Sequence, residues 1–390
     1  MPTPLDNRTD SKVHCFVCKS DRLNIEDAPF ATFRHLDFEE FPLTAKRNSL
    51  AECEKCGHIF RVFSPADELL LKHLYQSSEY ASHKEEHMIT LDPKEEPISL
   101  AVVQARLLDG CLPKRVGGLE ILDVGCFDGK LLSALAQRNT IKRCVGFDVG
   151  RRPGFPSRSD FDFVSGNLDQ VGGSFDLITF SQSLMYVEDL AGLFANVDRL
   201  LSDSGKVFIH LPNILRRPSA LLFGDQYHYF HPNSIFSLLS RFGFEASLMQ
   251  DTPFGRDLVL VANRKTRGRE LSEVNIVADT GTAPQNRFLR EALGRVERLA
   301  NDVGLVSAEA NLAVFGTTID AAFVDSLIPS KVMFFVDENP ARVGIRFHGK
   351  RVESPSRLQK DSVCILPMGP HGEPLRARLS SMYEGIFHLV

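Results

Sequence analysis

The chain has 390 residues, 43% hydrophobic and 24% charged, with a formal net charge of -5. That length is more than one hydrophobic core usually serves, so two or three domains are expected, and the acidic balance argues against a nucleic-acid partner. There is no run of 18 or more apolar residues and Met1–Asp10 is polar, which argues against a membrane span or signal peptide and leads us to expect a cytoplasmic protein.

Residues 1–64 read as short-stranded and irregular, with Cys15/Cys18 and Cys53/Cys56 near the two ends. Paired C-x-x-C units place four thiolates around one tetrahedral metal, so a closed, structural Zn2+ site is expected on Cys15, Cys18, Cys53 and Cys56. Gly57 follows Cys56 directly, where the knuckle's tight turn needs a positive φ. Pro65-Ala-Asp-Glu then opens a helix with proline and acids in its first turn. After a polar stretch around Lys94, Ile98–Leu108 reads as a second helix.

From Glu120 to Asn263 apolar strands alternate with amphipathic helices. Strands are expected from Ile121, Cys144, Phe161, Phe175, Val207 and Leu258, giving a mostly parallel, doubly wound sheet. Its first strand ends in Asp123-Val-Gly-Cys-Phe-Asp-Gly129. The dinucleotide fingerprint is not met, because Phe127 stands where its second glycine would admit a pyrophosphate. The loop is similar instead to the Asp/Glu-x-Gly-x-x-x-Gly pattern of S-adenosylmethionine (SAM) methyltransferases, so Asp123, Gly125, Cys126, Asp128 and Gly129 are expected around that cofactor. Asp148 closes the next strand where a ribose diol is gripped. Asn167 and Leu168 follow the third strand, suited to the amine and ring of adenine. Ser181 and Gln182 follow the fourth, beneath the cofactor.

Lys265–Glu270 reads as a charged linker. Beyond it, Leu289, Leu293, Val296, Leu299 and Val303 recur at helical spacing. A second α/β pattern begins at Leu312 and continues through Val332 and Val363. The domain boundaries expected are 1–64, 65–265 and 275–390.

Taken together, the zinc pairs, the cofactor loop and the C-terminal pattern resemble the deoxysugar C-methyltransferase family nearly end to end. The resemblance implies a class I methyltransferase sheet flanked by a zinc module and a C-terminal Rossmann-like domain that helps hold a nucleotide-linked sugar. Val314-Phe-Gly-Thr-Thr318 and Val336-Asp-Glu-Asn-Pro-Ala-Arg-Val-Gly344 are the counterparts in that last domain. The sequence departs at the family's catalytic Tyr-His-Glu-His stretch, here Phe223-Gly-Asp-Gln-Tyr-His-Tyr-Phe-His-Pro232: Gly224 and Gln226 replace the histidines, and Asp225 the glutamate. Tyr227, His228 and His231, with Asp225, are the catalytic candidates that remain, and His210 stands where relatives tend to carry glutamate. A histidine there can deprotonate a sugar hydroxyl as readily as assist a carbon acceptor. The expected activity is SAM-dependent methylation of carbon or hydroxyl on a nucleotide-linked sugar or related glycan precursor. The alternatives are an NAD-dependent nucleotide-sugar oxidoreductase, suggested by Gly316 and Asp337, and a non-catalytic SAM-binding assembly protein.

Overall fold

The computed structural model describes residues 13–28, 48–77, 80, 88–89, 98–112, 116–265, 288–306, 312–340 and 342–390. Met1–Asp10, the stretch around Lys94 and the linker beyond Lys265 lie outside the described residues. The chain divides into two units. One comprises Met1–Ile25, Leu50–Arg217 and Gln226–Asn286, the other Glu26–Ser49, Pro218–Asp225 and Arg287–Val390. The cysteine-bearing segment thus goes with the central sheet.

Strands β1 (Leu23–Ala28), β2 (Asn48–Cys53) and β3 (Ile59–Val62) precede the helix Pro65–Gln76. That helix starts where Ser64 caps it, its hydroxyl accepting from the Asp67 N–H, with Pro65 in the first turn. The two-residue pair β4 (Met88–Ile89) and β5 (Ile98–Ser99) leads into the helix Leu100–Asp109. Then come β6 (Leu119–Val124), β7 (Ile141–Asp148), β8 (Phe161–Ser165), β9 (Phe175–Ser181), β10 (Leu201–Pro212), β11 (His228–Tyr229), β12 (Phe244–Leu248) and β13 (Asp257–Arg264).

Seven of these form one sheet in the order β12-β13-β10-β9-β6-β7-β8. β8, β7, β6, β9 and β10 run parallel, while β13 is antiparallel to both β10 and β12. All six expected strands form. β12 is an addition: only alternate residues of this edge strand face inward, so Phe244-Glu-Ala-Ser-Leu lacks the continuous apolar run of its neighbours. The central strands carry continuous buried stretches, Val207–Leu211 in β10 and Leu258–Ala262 in β13, because both faces are covered there. Leu122, Ile178, Val207 and Ile209 enter one core, and Ile121, Leu177 and Phe208 enter the other, with Ala101, Val103 and Leu108 of the helix Leu100–Asp109. A second sheet in the order β1-β2-β3-β11 is small.

In the C-terminal unit the helix Phe288–Val306 buries Leu289, Val296 and Val303 of the stripe read from the sequence, while Leu293 and Leu299 are half-buried. It precedes β14 (Leu312–Phe315), β15 (Val332–Val336), β16 (Arg346–Phe347), β17 (Lys350–Glu353), β18 (Val363–Leu366) and β19 (Ile386–Leu389). These are ordered β16-β17-β15-β14-β18-β19, parallel except for β16. Among the described residues no helix is long and apolar enough to cross a membrane.

Candidate active site

The four cysteines of the N-terminal pairs converge, their Sγ atoms all within 4.8 Å of one another. Cys15 and Cys56 sulfurs are 3.6 Å apart and those of Cys18 and Cys53 3.4 Å apart, and all four are free thiols. Zn–S bonds of about 2.3 Å in a tetrahedron put sulfurs about 3.8 Å apart, so the donor set fits zinc. The two knuckles are built alike: Lys19 N–H donates to Cys15 O, as Gly57 N–H donates to Cys53 O. Both Lys19 (φ 61°) and Gly57 (φ 69°) are left-handed, so the first knuckle carries a lysine where the second has the expected glycine.

The residues expected to act as base face inward. Tyr227 is buried, its ring 4.7 Å from that of Phe63, and burial pushes its phenol up. His228 is fully buried in β11, with Nε2 2.8 Å from Val187 O and Nδ1 3.1 Å from Nε2 of His58. His231 is buried with Nε2 2.9 Å from Gly57 O, and it caps the helix Pro232–Arg241. Burial lowers His228 to about 3 and His231 to about 4. Both rings therefore fasten this segment to the second knuckle. Asp225 is buried too, in the segment Pro218–Asp225 of the other unit.

The cofactor loop is built by glycine geometry. Gly125 has φ 78°, and a Cβ there would lie 2.4 Å from Cβ of Ser183, whose hydroxyl donates to Val124 O at 2.6 Å. Gly125→Ala should therefore cost about 2 kcal/mol or more, from the left-handed backbone and the overpacked contact together. A denaturant titration showing under 1 kcal/mol would contradict this. Gly129 is left-handed as well and opens the helix Lys130–Arg138. Phe127 also has a positive φ (48°), uncommon for a residue with a side chain. Its N–H donates to Asp148 Oδ2 at 3.1 Å, which helps to hold that backbone.

Asp123 is buried and accepts from Thr179 Oγ1 at 2.6 Å. Burial raises its carboxyl to about 7; the Thr179 hydrogen bond opposes the shift, and Asp148 and Asp128 add to it. Asp128 is ion-paired with Lys130 at 3.0 Å and Asp148 with Arg152, which leaves Asp123 as the carboxylate here without a cationic partner among the described residues; a buried carboxylate so placed suits a cationic sulfonium nucleoside, so these residues fit SAM. Because a cation favours ionised Asp123, SAM affinity should rise with pH and level off above about 7, falling up to about tenfold per pH unit below. The stability of the ligand-free protein runs the other way. With the folded value raised above the unfolded one, this group's favourable contribution is full below about 4 and is lost as pH climbs through about 7. Calorimetric SAM titration from pH 5.5 to 8.5 checks this; flat affinity would refute it.

Asp148 is likewise buried, and its second oxygen is taken by an ion pair with Arg152 at 2.7 Å. The Arg152 guanidinium lies 4.7 Å from the Tyr80 ring centroid and 5.3 Å from that of Phe127. Asn167 is exposed, and its amide is engaged with Asp169 at the turn Leu168–Gln170, while Leu168 packs into the core. Ser181 ends β9 and bonds to Gln104, and Gln182 follows with φ 56°. Cys126 is buried, and its thiol is raised by burial. The sequence does not single out Arg152 or Gln104: Arg152 returns onto Asp148 across four residues of irregular chain, and Gln104 meets Ser181 and His210 only through tertiary contact.

Residues 99–249 match the family model described as a methyltransferase domain. The central unit has the class I methyltransferase fold. Over 119 residues the chain is 31% identical to a ubiquinone biosynthesis O-methyltransferase of Pseudomonas aeruginosa (strain UCBPP-PA14), covering 28% of this chain and 50% of the relative. A 26% match over 137 residues to polyketide synthase ThaQ of Burkholderia thailandensis covers 30% of this chain and 6% of that protein. The chain spans about half the length of the curated O-methyltransferases it matches. Among solved structures, a SAM-dependent methyltransferase from Mesorhizobium loti aligns at 21% identity and TM-score 0.35, over 42% of this chain and 98% of that one. The glycopeptide N-methyltransferase MtfA aligns at 15% identity and TM-score 0.35, over 43% and 94%.

Proposed function

We propose that this chain is a SAM-dependent methyltransferase acting on a nucleotide-linked sugar or related glycan precursor, with zinc as a structural ion on Cys15, Cys18, Cys53 and Cys56. The observation that carries the first part is the loop Asp123–Gly129, where two left-handed glycines set the backbone beside three carboxylates. SAM supplies an electrophilic methyl group. In this reading Asp123 and Asp128 balance its positive charge, and Asp148 holds the ribose diol after exchanging Arg152 for it. Orientation of the acceptor contributes much of the rate in such displacements.

The sugar assignment rests on the end-to-end resemblance, zinc pairs and C-terminal α/β unit included. The relatives named O-methyltransferases favour a hydroxyl as the methylated group. The test is calorimetric titration of zinc-loaded protein with SAM and S-adenosylhomocysteine, followed by incubation with methyl-labelled SAM and a nucleotide-sugar panel read by mass spectrometry. Absence of SAM binding would end the methyltransferase reading; transfer only to non-sugar acceptors would end the sugar assignment.

A further inference from the structure

On one face of the central sheet, the carboxyl ends of the strands turn polar in a continuous row. Ile121, Leu177 and Phe208 lie in the core on this face, and two residues further along their strands stand Asp123, Thr179 and His210. Asp123 is the register partner of Thr179, and Ser181, two residues on, is the partner of His210. The row starts at the carboxylate of the cofactor loop. It ends about two strand spacings away, about 10 Å, at an imidazole.

That imidazole is fully buried and flanked on both sides. Nε2 lies 3.0 Å from Asp257 Oδ2, at the start of β13, and Asp257 is also paired with Arg217 at 3.4 Å. Burial pushes the Asp257 carboxyl up, but the hydrogen bonds and charges of His210 and Arg217 outweigh it and hold it below its ordinary value. With a carboxylate on Nε2, the ring proton sits there and the lone pair is on Nδ1, where the Gln104 amide nitrogen donates at 2.7 Å. His228 and His231 differ: their Nε2 atoms lie against backbone carbonyls. A carboxylate behind an imidazole fixes its tautomer and stabilises the imidazolium once a proton arrives.

Gln104 makes the arrangement reversible. Ser181 Oγ is 2.8 Å from the amide nitrogen and 3.0 Å from the amide oxygen. Turned one way, the amide donates to neutral His210. Turned over, it accepts from the imidazolium, and the serine hydroxyl serves whichever end remains. His210 can thus gain and lose a proton with its neighbours satisfied in both states.

We infer that His210, oriented by Asp257, is the proton acceptor for methylation of a hydroxyl group, which takes the place of the Gln104 amide at Nδ1. The inference rests on the SAM reading above. A hydroxyl fits because it replaces the amide donor atom for atom and is itself the nucleophile. Its proton passes to Nδ1 as the oxygen lone pair forms the C–O bond. The C–S bond of the donor breaks with its electron pair left on sulfur, so the sulfonium charge is neutralised and the positive charge ends on His210 beside Asp257.

The test compares full-length, zinc-loaded wild type with His210→Asn and Asp257→Asn. Methyl-labelled SAM is the donor, and dTDP-glucose and catechol are separate hydroxyl acceptors that distinguish a sugar source from a phenol. His210→Asn should lower turnover at least 100-fold, and Asp257→Asn at least 10-fold, with SAM affinity within threefold of wild type. The loss should shrink below fivefold with 4-nitrocatechol, which is already ionised at neutral pH, and added imidazole should partly rescue His210→Gly. Independently of activity, nitrogen-15 NMR of labelled histidine should show His210 with its proton on Nε2. Retained turnover in His210→Asn, an Nδ1–H tautomer, equal loss with the ionised phenol, or no hydroxyl transfer by SAM-binding wild type would each overturn the inference. Failure of wild type to bind SAM would instead remove the reading on which it rests.

Discussion

Chelating the proposed zinc, or replacing Cys53 with alanine, is expected to strip the N-terminal segment of its structure. The four-stranded sheet β1-β2-β3-β11 has strands of six, six, four and two residues, too little sheet to be stable alone. A structural zinc contributes about 10–16 kcal/mol in small metal-dependent modules, more than the net stability of most domains. The damage should spread, because β11 pairs with β3 through His228 and Tyr229 and because His231 ties the start of the helix Pro232–Arg241 to Gly57. Hydrogen exchange should show loss of amide protection in β2, β3 and the first turn of that helix. Metal analysis should find about one zinc per wild-type chain and none in Cys53→Ala. Cys111→Ala, outside the cluster, is the control and should keep both metal and protection. Unchanged protection after complete metal removal would refute the structural role.

Much of this architecture is legible in the sequence, for physical reasons that also mark where reading stops. Strands covered on both faces show as apolar runs, so β6, β7, β9, β10 and β13 can be read directly, whereas β12, half-covered at an edge, cannot. The cysteine pairs are legible because knuckle geometry is local, two residues between ligands. The work of His228 and His231 is not local. Their partners His58 and Gly57 lie 170 and 174 positions away, so Tyr227-His-Tyr-Phe-His reads as a reactive stretch when the rings serve as internal fasteners. Asp148 can be read as a strand-final carboxylate, but not the return of Arg152 onto it, because the intervening residues follow no period. His210 acquires meaning only once β13 brings Asp257 beside it.

Asp148→Ala is expected to damage both cofactor binding and the fold, and the two effects can be separated. Asp148 is the carboxylate we propose to grip the ribose diol, and two hydrogen bonds to a charged group are worth about 1.5–3 kcal/mol each, so SAM affinity should fall at least 100-fold. The same substitution leaves the Arg152 guanidinium, with a side chain 3% exposed, without its carboxylate, at a cost of about 3–5 kcal/mol in stability. It also removes the acceptor for the N–H of Phe127, whose left-handed backbone then loses a support. In Asp148→Ala/Arg152→Ala the buried cation is gone as well, so stability should recover by about 2 kcal/mol or more relative to Asp148→Ala while SAM binding stays lost. Arg152→Ala alone should bind SAM at least as tightly as wild type, because the diol no longer competes with the guanidinium for Oδ1, although the packing between Tyr80 and Phe127 is lost. Calorimetry for affinity and urea unfolding for stability read the two effects independently. SAM binding by Asp148→Ala within threefold of wild type would show that the ribose is held elsewhere, and failure of the double variant to regain stability would show that the ion pair is not what the single substitution breaks.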